Sequence, residues 1–192
     1  MTALWSSFLV VSLAEMGDKT QLIALSLASW YRRPWPVMWG IFIATLCNHG
    51  LASSLGSWLA GLIPHAALAW ILGLGFIAFG IWTLFPDRAD EQHGRRRSWG
   101  PLATTTVVFF FAEMGDKTQL ATVALGARFH SAAVVTVGTT LGMLAADSLA
   151  VFAGARLGQV IPAQRLRWIA AALFFAFGAG AIASALGVRW LG

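Results

Sequence analysis

The sequence predicts an all-α polytopic membrane protein with six transmembrane helices, arranged as two inverted three-helix repeats. Three observations predict this class: an unusually apolar composition, six successive apolar stretches, and a second half of the chain that repeats the first. Of the 192 residues, 58% are hydrophobic and 11% are charged, and the mean hydropathy is +0.71. Soluble domains carry about 25% charged residues, so we expect much of the surface to face lipid.

Six apolar stretches can be drawn, and each is about long enough to cross a bilayer. At 1.5 Å per residue, about 20 helical residues span roughly 30 Å of hydrocarbon. The stretches cover residues 3–29, 37–62, 67–85, 101–127, 132–160 and 167–188. The first stretch has no basic leader region and carries charged residues in its middle, so we expect it to remain as a membrane helix.

The two halves of the chain are copies of one pattern. The segment EMGDKTQL begins at Glu15 and again at Glu113, and the same offset of 98 residues relates glycine, proline and aromatic positions further along. Because each copy contains three spans, the second copy must enter the membrane from the opposite side. We predict a first three-helix repeat in residues 1–86, a charged cytoplasmic linker in residues 87–100, and a second, inverted repeat in residues 101–192.

The arginines predict the orientation. Nine of them fall on one side of the predicted bundle, and only Arg128 and Arg189 fall on the other. The nine are Arg32, Arg33, Arg88, Arg95, Arg96, Arg97, Arg156, Arg165 and Arg167. Under the positive-inside rule, both termini lie outside the cytoplasm, and we expect a bacterial inner (plasma) membrane. The net charge of +5 comes from these helix-flanking clusters, so it does not indicate nucleic-acid binding.

Small residues recur at four-residue steps in the second and fifth stretches. One series runs from Gly40 to Ala60 and the equivalent series from Gly138 to Gly158. Such series let helix backbones approach closely in membranes. They predict that these two helices pack near the centre of the bundle.

Five acidic residues and both lysines of the chain lie inside apolar stretches. They are Glu15, Asp18, Glu113, Asp116, Asp147, Lys19 and Lys117. A charge at the centre of a spanning helix costs about 2.5–3.5 kcal/mol on insertion scales, so such residues usually mark a functional site. The i, i+3, i+4 spacing places the charges of each motif on one helix face. We expect the two faces to meet at the bilayer centre, with Thr20, Gln21, Thr118 and Gln119 nearby.

The charge of this predicted site limits its ligand. Five carboxylates and two ammonium groups leave an excess of three negative charges, which a divalent cation, protons or both must offset in an apolar environment. Oxygen ligands suit calcium, magnesium and manganese. Competition between metal and protons for the same oxygens is a minimal basis for antiport. We therefore predict that the five acids bind a transported cation, with no tightly bound cofactor.

Two features near the motifs have alternative interpretations. His49 occupies the position equivalent to Asp147, beside Asn48. An imidazole ligand would favour manganese over calcium, but a neutral histidine hydrogen-bonded between helices is equally consistent with the sequence. Gly17 and Gly115 either allow a local helix break that exposes carbonyl groups or serve ordinary close packing.

The doubled motif E-x-G-D-[KR]-[ST] resembles the signature of the calcium/manganese–proton antiporter family, and the resemblance covers nearly the whole chain. It implies export of Mn²⁺ or Ca²⁺ from the cytosol, coupled to proton entry. The implied cation ligands are Glu15, Asp18, Glu113 and Asp116, with Lys19, Thr20, Lys117 and Thr118 completing the motifs. The short central loop resembles that of bacterial members, which favours manganese export.

Other functional classes fit less well. An exporter of a small organic cation or an amino acid is the alternative, since other six-span exporters have a similar size, but the surplus of acidic groups argues against it. A membrane-embedded metal enzyme would need a water-activating motif with several histidines, and His49 is the only histidine well inside an apolar stretch. The ion preference, the proton stoichiometry and the oligomeric state stay open.

Overall fold

The computed structural model describes residues 1–16, 18–85, 99–157 and 163–186. Over these residues the chain forms eight α-helices and no β-strand, which confirms the all-helical class. The helices are α1 (Thr2–Glu15), α2 (Lys19–Tyr31), α3 (Pro34–Ala60), α4 (His65–Thr83), α5 (Gly100–Ala112), α6 (Lys117–Phe129), α7 (Ala132–Leu157) and α8 (Ala163–Ala185). Gly17, Arg189 and most of the predicted linker, including Arg88 and the three arginines from Arg95 to Arg97, lie outside the described residues.

The helix boundaries follow the sequence repeat. Each of the helices α5 to α8 begins 98 residues after its counterpart among α1 to α4, and α2 and α6 have the same length. Equivalent sequences thus form equivalent helices in both halves of the chain. The repeat is a property of the backbone as well as of the motifs.

The structure differs from the sequence prediction at the two motifs, where each long apolar stretch is divided into two helices. α1 ends at Glu15 and α2 begins at Lys19, while α5 ends at Ala112 and α6 begins at Lys117. Gly115 has a φ of 77°, a left-handed conformation that glycine adopts without steric cost. Asp18 lies at the N-cap position of α2, has an extended backbone and accepts a hydrogen bond from the backbone amide of Lys19 at 2.7 Å. The motif sequence therefore ends one helix and starts the next.

One helix within the described residues is long and apolar enough to cross a membrane by itself, over Ala132–Phe152 in α7. Shorter apolar helices lie at Thr2–Glu15, Ala66–Trp82, Gly100–Ala112 and Ala171–Ala185. The breaks at the motifs explain part of this difference from the six predicted spans. A helix of 13 or 14 residues, such as α1 or α2, covers only about 20 Å.

Helices α1 and α7 run parallel and approach each other closely at two glycines of α7. A Cβ atom added to Gly138 would lie 2.6 Å from the carbonyl oxygen of Leu4, and one added to Gly142 would lie 2.7 Å from that of Phe8. Gly40 of α3 makes the equivalent approach to α5, where its added Cβ would lie 2.9 Å from the oxygen of Leu102. The first helix of each half therefore packs against the long helix of the other half.

The two long helices α3 and α7 run antiparallel. The rings of Trp35 and Phe152 lie 5.1 Å apart at one end, and the hydroxyl oxygens of Ser53 and Thr136 lie 2.6 Å apart towards the other. α3 also contacts α2, α5 and α6, and α7 also contacts α1, α2 and α6. These two helices therefore form the centre of the bundle, as the small-residue series predicts.

Helices α4 and α8 form a separate antiparallel pair. The repeat-equivalent rings of Phe76 and Phe174 stack with their centroids 6.3 Å apart. A Cβ added to Gly73 would lie 3.1 Å from the carbonyl oxygen of Gly178. This pair packs against α1 and α6, which places it beside the helices that carry the motifs.

Candidate metal site

The two motifs lie at the two helix breaks and contact each other. Lys117 Nζ lies 2.8 Å from Asp18 Oδ2, and Lys19 Nζ lies 3.3 Å from Asp116 Oδ1. Both ion pairs join one motif to the other, and in both the lysine pairs with an aspartate. The helix breaks therefore lie where charged groups of the two motifs pair with each other.

Three carboxylates converge at this contact. Glu15, Glu113 and Asp116 each offer an oxygen within 4.8 Å of the others. Their exposed fractions are 0%, 0% and 6%. Protein oxygens bind calcium at about 2.3–2.6 Å, so oxygens of one ion's coordination shell commonly lie within about 5 Å of each other. Among the described residues, this group has the spacing that a single cation requires.

The two glutamates have different hydrogen-bond partners although the repeat makes them equivalent. Glu15 accepts hydrogen bonds from Thr20, at 2.7 Å, and from Thr118 of the other motif. Both oxygens of Glu113 are buried and have no hydrogen-bond partner among the described residues. The site is therefore asymmetric, with its hydroxyl donors on one glutamate and free acceptor oxygens on the other.

The two aspartates also differ. Asp18 caps α2 and pairs with Lys117, a residue that is 4% exposed. Asp116 is the N-cap residue of α6, but its side chain makes no capping bond, and its Oδ2 atom has no hydrogen-bond partner among the described residues. Asp18 was predicted as a ligand alongside Asp116, but the structure places only Asp116 in the converging group.

Asp147 lies in α7 on the edge of this cluster. Its side chain is fully buried, and neither oxygen has a hydrogen-bond partner in the described part of the chain. It lies within electrostatic range of Glu15, Asp18 and Glu113. The neighbouring carbonyl group of Ala146 accepts a hydrogen bond from Gln21 Nε2 at 2.7 Å, which fixes α2 against α7 beside this acid.

The remaining predicted supporting residues have separate positions. Gln119 Oε1 accepts a bond from the backbone amide of Gly115 at 2.6 Å, and Asn48 Nδ2 donates to the carbonyl oxygen of Phe110 at 2.9 Å. His49 is fully buried, but it does not join the converging group. Neither of its ring nitrogens has a hydrogen-bond partner within the described ranges, so the interhelical hydrogen bond proposed for it is also not seen there.

Sequence reasoning missed a pair of buried hydroxyl groups on α1 and α5, the two helices that lead into the motifs. Ser7 in α1 and Thr105 in α5 are fully buried, and their oxygens lack hydrogen-bond partners among the described residues. They are equivalent under the repeat, and each lies against a glycine of the long helix, Gly138 or Gly40. Polar residues at equivalent positions in two apolar stretches are the signal that would have found them.

Comparison with known proteins follows the same division into halves. The family model described as divalent cation/proton antiporter GDT1 matches residues 3–91 and 101–188. A protein of Vibrio cholerae named as a candidate manganese exporter is 43% identical over 175 residues, covering 91% of this chain and 87% of the relative. No solved structure matches the chain.

More distant relatives cover the same region. A GDT1-like protein of Synechocystis is 28% identical over 92% of this chain and 95% of its own length. GDT1-like protein 3 of Oryza sativa subsp. indica is 27% identical over 91% of this chain and 71% of its own length. The resemblance predicted from the doubled motif is confirmed, and this chain belongs to the GDT1 family of divalent cation/proton antiporters.

Proposed function

We propose that this protein exports Mn²⁺ from the cytosol in exchange for protons, with Ca²⁺ as the alternative cation. The observation that carries the proposal is the convergence of three buried carboxylates from the two motifs, Glu15, Glu113 and Asp116. Family membership supports a divalent cation and argues against the organic cation or amino acid considered from the sequence. The name of the Vibrio cholerae relative supports manganese.

The charge balance of the site supports exchange. The five buried acids and the two lysines retain an excess of negative charge, and burial makes uncompensated charge costly. Asp116, Glu113 and Asp147 each have at least one oxygen without a hydrogen-bond partner in the described structure. Either a metal cation or protons can occupy these oxygens. Exchange follows if the two occupants exclude each other and the site opens to each side in turn.

The helix directions support a six-span inverted repeat. The equivalent helices α3 and α7 run antiparallel, which is the relation expected for two units joined by a two-fold axis in the membrane plane. The parallel pair α1 and α7 and the antiparallel pair α4 and α8 have the directions that six alternating crossings require. In this arrangement residues 1–86 and 101–192 are the two repeats, and the carboxylates lie near the bilayer centre.

The arginine distribution supports placing both termini outside the cytoplasm of a bacterial inner membrane. Within the described residues, Arg32 and Arg33 lie between α2 and α3, and Arg128 lies near the C-terminus of α6. These two positions fall on opposite sides in the six-span scheme. The linker of residues 87–100 then faces the cytoplasm.

Transport into inverted membrane vesicles tests the proposal. We expect vesicles containing the protein to take up Mn²⁺ when their interior is acidic, and Asp116→Asn to abolish this uptake because a neutral amide attracts a divalent cation far less than a carboxylate. Asp87→Asn removes an acid from the linker instead of the site, so it should retain uptake. Parallel vesicles with Ca²⁺, and with the pH gradient collapsed, measure the ion preference and the coupling.

The proposal is wrong if Asp116→Asn, present at the wild-type level, takes up Mn²⁺ at the wild-type rate. Absence of Mn²⁺ and Ca²⁺ uptake by the wild-type protein would contradict it as well. Asp18→Asn provides a second comparison, in which a smaller loss of Mn²⁺ affinity is expected. It should reduce Mn²⁺ affinity less than Asp116→Asn, because Asp18 lies outside the converging group.

A further inference from the structure

The two lysines occupy positions that helix formation does not favour. Lys19 and Lys117 are the first residues of α2 and α6. The N-terminus of a helix carries partial positive charge, so a cation is unfavourable there. Both lysines therefore need another reason for their position, and the ion pairs across the motifs supply one.

The two ion pairs differ in their accessibility. The side chain of Lys117 is 5% exposed, and its 2.8 Å contact with Asp18 is enclosed. The side chain of Lys19 is 24% exposed, and its contact with Asp116 is longer, at 3.3 Å. The Lys19 ammonium group can therefore move into more polar surroundings at less cost than that of Lys117.

Asp116 takes part both in an ion pair and in the group of converging carboxylates. It pairs with Lys19, and it is one of the three carboxylates whose oxygens converge. We propose that the Lys19 ammonium group competes with the transported divalent cation for Asp116. When the cation leaves, the ammonium group takes its place at this carboxylate. This inference rests on the proposed function, and it assigns Lys19 to release of the cation instead of to its binding.

The reason for such a competitor is electrostatic. A cation that binds several buried carboxylates leaves slowly, because its departure exposes their mutual repulsion in a medium of low dielectric. A tethered ammonium group that moves in as the cation moves out removes part of this cost. Transport requires binding that is strong enough for entry and weak enough for exit, and Lys19 would shift the balance towards exit.

Binding of Mn²⁺ to purified protein in detergent tests this role. Lys19→Gln removes the competing charge, so we expect the Kd for Mn²⁺ to fall by about ten-fold or more. Lys19→Arg keeps the charge, so its Kd should fall less than that of Lys19→Gln. Arg33→Gln removes a positive charge between α2 and α3 instead, so it serves as the matched control with a Kd close to that of the wild-type protein. Lys19→Met removes the charge with a different side chain, and melting temperatures show which variants are folded. The free Mn²⁺ remaining at equilibrium can be measured by electron paramagnetic resonance.

Transport kinetics provide a second readout. In vesicles, Lys19→Gln should lower both KM and kcat for Mn²⁺, because tighter binding slows release. A purely structural role for Lys19 predicts instead a lower kcat with an unchanged or higher KM.

The possible results separate this inference from the proposed function. If wild-type protein binds Mn²⁺ and Lys19→Gln and Lys19→Met bind it no more tightly, the competitor role is wrong while the exporter function stands. Binding by Lys19→Arg as tight as that by Lys19→Gln would also overturn it, since the charge would then be irrelevant. If the wild-type protein neither binds nor transports Mn²⁺ or Ca²⁺, the proposed function fails and this inference fails with it.

Discussion

At the scale of single residues, repeat-equivalent side chains make different contacts. Glu15 accepts bonds from two threonines, whereas the oxygens of Glu113 have no hydrogen-bond partner among the described residues. Thr20 and Thr118 are themselves equivalent under the repeat, yet both donate to the same glutamate. The two motifs are therefore asymmetric at this contact although their sequences are the same.

Removing one of these donors should destabilise the protein. We expect Thr118→Val to cost about 1–3 kcal/mol, because it removes a hydrogen bond to a buried carboxylate. Thr122→Val is the matched control, since Thr122 is equally buried but donates only to the carbonyl oxygen of Thr118 within α6. Melting temperatures in detergent measure the difference, and equal decreases for both variants would contradict this account of Glu15.

At the scale of helices, the motifs combine a helix break with a set of charged groups. The break shortens the apolar segments, and it also gives Asp18 and Asp116 their positions at the starts of α2 and α6. Each motif has one carboxylate before its break and one after it. These are Glu15 and Asp18 in the first motif, and Glu113 and Asp116 in the second. A continuous helix would instead keep all of these groups on fixed i, i+3 spacings.

Close packing between α3 and α6 holds one of these broken segments. A Cβ atom added to Gly56 would lie 1.9 Å from the carbonyl oxygen of Val123, and one added to Gly126 would lie 2.4 Å from that of Ser53. Both obstacles are backbone atoms, so a side chain could be accommodated only if the helices moved apart. The position of α6, and with it that of Lys117 and Thr118, depends on this contact.

The Gly56→Ala substitution tests the contact. We expect it to destabilise the protein by more than about 1–3 kcal/mol, the range for overpacked sites, and to reduce the yield of monodisperse protein. Gly75→Ala is the control, because a Cβ at Gly75 of α4 meets nothing within 4 Å and alanine favours a helix by about 1 kcal/mol in water. A Gly56→Ala protein as stable as Gly75→Ala would show that α3 and α6 do not approach closely.

At the scale of the whole molecule, the two halves are interlocked. α1 packs on α7 and α5 packs on α3, so each half supplies its first helix to the long helix of the other. The carboxylates meet where these crossed contacts bring the two motifs together. An isolated half would therefore lack both the packing partner of its first helix and the ion-pair partners of its motif.

The proposed topology predicts the location of both termini. Reporter domains fused to either end should lie outside the cytoplasm, and a reporter inserted in residues 87–100 should lie inside, because arginine-rich loops remain cytoplasmic. Two reporters are fused at each site, one that is active only in the cytoplasm and one that is active only outside it, so that their signals should be opposite. A cytoplasmic reporter signal at either terminus would overturn the orientation or the six-span count.

The sequence alone determined the helical class, the family and the candidate acids. These follow from composition, from the offset of 98 residues and from the doubled motif, all of which are local or periodic properties. The breaks inside the first and fourth apolar stretches were only one of two interpretations of Gly17 and Gly115. Local sequence left them open because a glycine in an apolar helix serves packing as readily as a turn.

Only the tertiary structure decided which contacts each member of a repeat-equivalent pair makes. The two motifs have the same sequence, so nothing local distinguishes Glu15 from Glu113 or Asp18 from Asp116. Only the tertiary structure adds Thr118 of the other motif to Thr20 on Glu15, pairs each lysine with the aspartate of the other motif, and leaves His49 outside the carboxylate group. Identical motif sequences acquire different surroundings because the rest of the two repeats is not identical, as at the equivalent positions His49 and Asp147.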